Sequence, residues 1–261
     1  MVDASYVFAN EDDGGSKRFA ALADLYDAAT IRHIEALGID RGAACLEVGA
    51  GGGSIARWLS SRVSPGRVVA TDRDSALLER LALTGVEAQR HDIASDPLPE
   101  RTFDLAHARL VLMHLPSAED VLARMVRALR PGGWLVVEEF DVAPPAGSDV
   151  GVAPKTSLAL RAVLEKAGVD LTFGRRLPAL FRAAGLENIG AEGRTCLWTG
   201  RSAGARLMYA NYVGMRDAIL STRLVDPVEF TRDLERLGDV EFLTSSPAMW
   251  SVWGQRSKRT E

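Results

Sequence analysis

Apolar residues recur at helical spacing over residues 17–37, where Phe19, Leu22, Leu25, Tyr26, Ala29, Ile34 and Leu37 fall on one face. Gly38 then stops the pattern as a C-cap. From residue 43 the pattern changes to short apolar runs alternating with amphipathic segments. It predicts strands at 43–48, 67–71, 86–90, 103–108 and 134–140, with helices at 54–62, 75–83 and 118–129. The last of these helices runs into Arg130-Pro131-Gly132-Gly133, a helix stop followed by a turn. Strands and helices alternating at this spacing predict right-handed βαβ units on a parallel sheet.

The rhythm changes after residue 141. Residues 142–157 carry Pro144, Pro145, Gly147, Gly151 and Pro154 and read as a loop. Helices are predicted at 157–167 and 176–184, and a strand at 189–198. A helical stretch over 201–221 carries Leu207, Met208, Tyr212, Met215 and Ile219, and a helix near 227–237 leads to the apolar run Met249-Trp250-Ser251-Val252-Trp253. Residues 1–16 are polar and glycine-bearing and read as a flexible arm. No internal repeat or low-complexity segment interrupts the chain.

Composition narrows the class. The 261 residues are 47% apolar and 25% charged, the balance of an ordinary globule. No apolar run approaches the length of about 18 residues that spans a bilayer. Met1-Val2-Asp3-Ala4-Ser5 has neither a basic nor an apolar signal region, so a cytoplasmic protein is expected. Cys45 and Cys196 are expected to be reduced thiols. The net charge of −4 gives no general attraction to nucleic acid or anionic membrane, and the basic tail Arg256-Ser257-Lys258-Arg259 reads as a solvated end. The four histidines and two cysteines have no metal-ligand spacing, so no metal is expected.

The chemistry-bearing stretch is Glu47-Val48-Gly49-Ala50-Gly51-Gly52-Gly53-Ser54, between a predicted strand and a predicted helix. Glycines let backbone approach a ligand closely, and the helix start presents free N–H groups there. Asp72 ends the second strand, where a carboxylate can accept from both hydroxyls of a ribose. His91-Asp92-Ile93 follows the third strand and offers a carboxylate to an exocyclic amine and an apolar wall to a flat base. The dinucleotide fingerprint would place its third small residue at 54, which is Ser54. Glu47, two residues before the first glycine, would repel a pyrophosphate and suits a ligand ammonium. No Gly-Lys-Ser/Thr follows the glycines, which excludes a P-loop.

With these elements, and with Val69-Ala70-Thr71-Asp72, Phe103-Asp104-Leu105-Ala106-His107-Ala108-Arg109 and Leu129-Arg130-Pro131-Gly132-Gly133 in the same order, the chain resembles the class I S-adenosylmethionine-dependent methyltransferases. It is most similar to small-molecule enzymes of the ubiquinone/menaquinone-biosynthesis and natural-product type, over about residues 43–141. The resemblance implies an α/β, Rossmann-like, seven-stranded and mostly parallel sheet with helices on both faces, an antiparallel last strand and helical cap elements. Residues 1–40 would form an arm and cap helix, and 41–261 the methyltransferase domain with a helical cap insertion about 199–238. It implies S-adenosyl-L-methionine as cofactor. Gly49, Gly51 and Gly53 would form the turn beside its methionine part, with Glu47 tied to the amino group. Asp72 would hold the ribose, Arg73 would lie near the adenine, Asp92 and Ile93 would meet the adenine, and Ala108 and Arg109 would line the sulfonium region.

Methyl transfer from a sulfonium is an in-line displacement, so catalysis rests on holding the acceptor in place. A base is needed only where the acceptor loses a proton. His114, just past the fourth strand, is the candidate, with Glu138, Glu139 and Asp141 as alternatives on the strand beside it. His107, inside a strand, reads as a satisfied sheet residue. Tyr26, Met113, Tyr209 and Tyr212 are candidate substrate contacts, and a homodimer is a candidate assembly. No Asn/Asp-Pro-Pro-Tyr/Phe stands at the end of the fourth strand and no basic, aromatic-interleaved patch is visible, which points to a small-molecule acceptor. Two alternatives stay open: a methyltransferase-fold protein with a cyclising or purely binding role, and an NAD(P)-dependent oxidoreductase.

Overall fold

The computed structural model describes residues 13–82, 85–142 and 155–258. Residues 1–12 of the expected arm, and residues 143–154 of the expected loop, lie outside the described residues. The chain divides into two compact units, each built from three segments. One comprises Asp27–Asp141, Thr172–Arg194 and Met249–Glu261, and the other Met1–Tyr26, Val142–Leu171 and Thr195–Ala248. The helix α1 (Asp13–Ala36) passes from the second unit into the first, and residues 13–16, expected as arm, are its first turn.

The larger unit is α/β. After α1 come β1 (Ala44–Val48), α2 (Ser54–Val63), β2 (Arg67–Asp72), α3 (Ser75–Ala82), β3 (Glu87–Arg90), β4 (Phe103–Arg109), a single 3₁₀ turn (Leu112–His114), α4 (Ala118–Ala128) and β5 (Leu129–Asp141). The sheet order is β3-β2-β1-β4-β5-β9-β6, where β6 is Glu187–Arg194 and β9 is Ala248–Gln255. The first five strands pair in parallel, and β9 runs antiparallel to β6. Short apolar strands buried on both faces, alternating with amphipathic helices, produce this arrangement, because parallel neighbours need a helical crossover. The strand order reverses at β1/β4, the switch point beyond whose carboxyl ends open α/β sheets bind their ligands. The core on one side of the sheet joins Ile34, Cys45, Ile55, Leu59, Val68, Leu81, Leu105 and Val136. Each such side chain contributes about 1.5–3 kcal/mol on burial.

Two predicted elements take a different form. Arg130-Pro131-Gly132-Gly133 is not a turn before β5 but a bulge within it, since Phe103 pairs with Leu129 while Leu105 pairs with Trp134. The expected strand at 189–198 ends at Arg194; Leu197–Thr199 is a separate strand, β7.

The smaller unit is chiefly helical. It holds α5 (Lys155–Lys166), α7 (Ala203–Gly214), α8 (Arg216–Ser221) and α9 (Pro227–Arg236), with α6 (Phe173–Ala183) belonging to the sheet unit. The expected single helix over 201–221 breaks at Met215, where φ and ψ leave the helical region. A small antiparallel pair joins β7 to β8 (Leu243–Ser245). Ala159, Tyr212, Met215, Ile219, Phe230 and Leu237 form the core of this unit. No helix among the described residues is long and apolar enough to cross a membrane.

Candidate functional site

The turn after β1 is built by its glycines. Gly49, Gly51 and Gly53 have φ of 66°, 50° and 73°, a region that side chains with a Cβ avoid. A Cβ on Gly49 would lie 2.5 Å from Val111 Cγ2, and one on Gly53 would overlap Leu81. The turn is fastened to the end of β2. The Ala50 N–H donates to the Thr71 carbonyl at 2.9 Å, and the Gly51 N–H donates to Asp72 Oδ2 at 2.9 Å. Asp72 Oδ1 accepts from the Asp74 N–H at 3.0 Å. Each oxygen of Asp72 therefore takes one backbone N–H and keeps a further acceptor position.

The end of β3 joins the same place, because the His91 N–H donates to the Asp72 carbonyl at 2.9 Å. Asp92 Oδ1 accepts from the Ala94 N–H at 2.9 Å, and Arg73 Nε stands 3.5 Å from Asp92 Oδ2. Ile93 is buried beside them. Thus Gly51, Asp72, Arg73, Asp92 and Ile93, expected separately from the sequence, meet at the ends of three strands.

The exit from β4 is strained and capped. Ala108 is buried and pairs with Val48. Leu110 has a φ of 57°, which turns the chain so that Val111 packs over Gly49. Glu139 holds this turn: its Oε1 accepts from the N–H groups of Val111 and Leu112 at 3.0 and 2.7 Å. Burial pushes the Glu139 carboxyl up to about 8, against the pull of those N–H donors. Met113 is buried in the 3₁₀ turn, and His114 ends that turn half-buried.

Glu138, next in sequence, points the other way. Successive strand residues alternate faces, so Glu138 shares a face with Glu47, His107 and Arg109, toward α1. His107 Nδ1 lies 2.7 Å from Glu47 Oε2, and its Nε2 lies 3.4 Å from Glu138 Oε2. Glu138 also accepts from the hydroxyls of Thr30 and, at 2.5 Å, Ser251. Arg109 directs its guanidinium into α1, to Asp27 Oδ1 at 2.8 Å and Thr30 Oγ1 at 3.1 Å. The idea that Glu138, Glu139 and Asp141 stand together as alternative bases is corrected accordingly: Glu138 belongs to the His107 network, Glu139 caps the turn, and Asp141 is paired with Arg175 Nη2 at 2.8 Å. Sequence reasoning missed Thr30, His33 and Ser251 in this network. A polar stripe Asp27, Thr30, His33 at three-residue spacing on α1 was the available signal.

The other expected contacts belong to the smaller unit. Tyr26 is buried, Tyr209 is half exposed, and Tyr212 lies in the helical core with its hydroxyl hydrogen-bonded to Ser157. Both cysteines are free, and burial pushes the Cys45 thiol up to about 12. Among the described residues no cluster of ligating side chains could hold a metal ion.

This strand–turn–helix site coincides with a known sequence family. Residues 46–137 match the family described as a methyltransferase domain. This match over residues 46–137 supports a class I S-adenosylmethionine-dependent methyltransferase. It is 30% identical over 142 residues to Methyltransferase str3 of Strobilurus tenacellus, covering 53% of this chain and 51% of that protein. It is 34% identical over 116 residues to the ubiquinone/menaquinone biosynthesis C-methyltransferase UbiE of Pseudomonas savastanoi pv. phaseolicola, covering 41% of this chain and 45% of that protein. The matches therefore span about half the length of these methyltransferases. The fold is similar to that of a Haemonchus contortus phosphoethanolamine N-methyltransferase 2 solved with S-adenosyl-L-methionine (14% identity, TM-score 0.57, 89% of this chain and 53% of that one). It is also similar to the [4+2]-cyclase SpnF (18% identity, TM-score 0.51, 87% and 80%). A class I methyltransferase fold thus hosts more than one chemistry, and the site has to carry the functional argument. The family match sets aside the NAD(P)-dependent oxidoreductase expectation.

Proposed function

We propose that the chain transfers the methyl group of S-adenosylmethionine to an oxygen, nitrogen or carbon atom of a small molecule. The observation that supports this most is the closed turn at Gly49–Gly53, anchored on Asp72 with acceptor positions to spare. Asp72 is assigned to the ribose hydroxyls, Asp92 with Ile93 and Arg73 to the adenine, and Glu47 to the ammonium. Ala108 is assigned to the sulfonium region. The donor set fits the cofactor: carboxylates meet its hydroxyls, amine and ammonium, and a buried isoleucine meets its flat base.

When bound, the cofactor supplies an activated methyl group. The chain then has to orient the acceptor and exclude water, and orientation of this kind supplies about 7–11 kcal/mol. Met113 and His114, in the turn after β4, are assigned to that task. His114 takes the acceptor proton where the acceptor has one to lose. Glu139 is spoken for by the turn and, with its carboxyl pushed up to about 8, is held mostly as the acid at neutral pH.

The small-molecule acceptor is supported by the net charge of −4 and by the named relatives. One is a C-methyltransferase of ubiquinone/menaquinone biosynthesis, and a structural neighbour is named for phosphoethanolamine. The test is calorimetry with S-adenosylhomocysteine on wild type and Asp72→Ala. Wild type should bind, and the variant should lose about 100-fold in affinity. A wild type that does not bind overturns the reading.

A further inference from the structure

Carboxylates and imidazoles alternate without a break along the sheet face toward α1. Glu192 Oε2 lies 3.4 Å from His33 Nε2, and His33 Nδ1 lies 3.7 Å from Glu138 Oε1. Glu138 Oε2 lies 3.4 Å from His107 Nε2, and His107 Nδ1 lies 2.7 Å from Glu47 Oε2. Glu192 reaches solvent with 34% of its side chain exposed, while the other four are buried. His33 is further fixed by stacking on Trp253, centroid to centroid 5.1 Å.

The two ends of the inner half are unequal. Glu138 is saturated, with Thr30, Ser251 and His107 around it. Glu47 is held through one oxygen. Among the described residues no hydrogen bond reaches its Oε1. Two buried carboxylates need compensation, because an unpaired buried charge costs several kcal/mol. One imidazolium between them balances one charge and leaves one. Burial alone would discharge His107, yet Glu47 and Glu138 on either side push it up to about 9. His33 and, at longer range, Arg109 act on Glu138, so among the described residues His107 is the one ion-pair partner of Glu47, at the end of β1 beside the glycine turn.

We propose that His107 is a positioning residue for the amino-acid end of the cofactor, donating from Nδ1 to fix Glu47 so that its other oxygen receives the ligand ammonium. This rests on the cofactor reading above. His107 touches no ligand; it acts through Glu47, with Glu138 bracing the imidazole from behind. The group recognised is an α-ammonium, which distinguishes a ligand carrying the amino-acid moiety from one carrying only the nucleoside.

The experiment compares S-adenosylhomocysteine with 5′-methylthioadenosine, which lacks the amino-acid end, by calorimetry on wild type, His107→Leu, Glu47→Gln and the double variant. Wild type should bind both. His107→Leu should lose at least about tenfold in affinity for S-adenosylhomocysteine and stay within about twofold for 5′-methylthioadenosine. The double variant should be no worse than Glu47→Gln, since both remove one interaction. Equal losses for the two ligands, or additive losses in the double variant, overturn the inference and leave the cofactor reading standing. Wild type binding neither ligand overturns both. Should His107→Leu fail to fold, His107→Gln replaces it, with a smaller loss still confined to S-adenosylhomocysteine supporting the inference and an equal loss for both overturning it.

Discussion

Asp72 Oδ2 accepts the Gly51 N–H at 2.9 Å, so the carboxylate assigned to the ribose also anchors the turn that lies beside the methionine part. One side chain thereby couples two parts of the site. Asp72→Ala should free the Gly51 amide without unfolding the sheet. A hydrogen bond to a charged group contributes about 1.5–3 kcal/mol, so the Gly51 amide should exchange with solvent at least about tenfold faster. Amide exchange followed by NMR checks this. Unchanged Gly51 exchange with wild-type core protection would remove Asp72 as the anchor.

Gly49 sits where two constraints meet. Its φ of 66° disfavours any Cβ, and Val111 Cγ2 would stand 2.5 Å from that Cβ. Gly49→Ala should cost about 2 kcal/mol or more, from backbone strain together with overpacking. Adding Val111→Ala should recover the packing share and leave the backbone share. Urea midpoints of the single and double variants measure the split.

Much of this could be read from the chain. The strands over 43–48, 67–71 and 103–108 follow from short local apolar runs, and Asp72 and Asp92 announce themselves by standing at strand ends. What stayed hidden is tertiary. Glu47 and His107 are 60 positions apart and meet only because β1 pairs with β4. Glu138 joins them through a register set partly by the bulge at Pro131–Gly133, which local propensity reads as a turn. Three charged residues on apolar strands all fall on one face, but that shared face becomes visible only with the strand order. The pairing of β9 beside β5 likewise brings Ser251 to Glu138 across 113 residues, beyond any local pattern.

Glu139 carries a pH signature of its own. Its carboxyl is raised from 4.5 to about 8, so the folded state binds the extra proton between those values. A raised value means that its contribution to stability is full below pH 4.5 and is lost as pH rises to about 8, levelling off above. Glu139→Gln mimics the protonated form and keeps an acceptor for Val111 and Leu112. The variant should therefore gain on wild type from pH 5 to pH 9, by an amount on the order of a few kcal/mol. Urea unfolding of both proteins across that range measures the difference, and a constant difference would contradict the assigned titration.

The Glu47–His107–Glu138 network predicts a stability window. His107 is raised from 6.5 to about 9, so its contribution is full below pH 6.5 and fades as pH climbs to about 9. Burial favours the neutral form of Glu138, but His107 and His33 beside it hold the carboxyl well below 4.5. Its contribution is therefore full above pH 4.5 and fades in stronger acid. Both terms are complete only between these limits. Glu138→Gln keeps a hydrogen-bonding partner for the imidazole while removing the charge that helps hold its proton. It should weaken both limbs of the pH–stability curve relative to wild type, and the NMR titration of His107 should move to lower pH. A His107 resonance that titrates at the same pH in the variant would separate the two residues and dissolve the network into independent contacts.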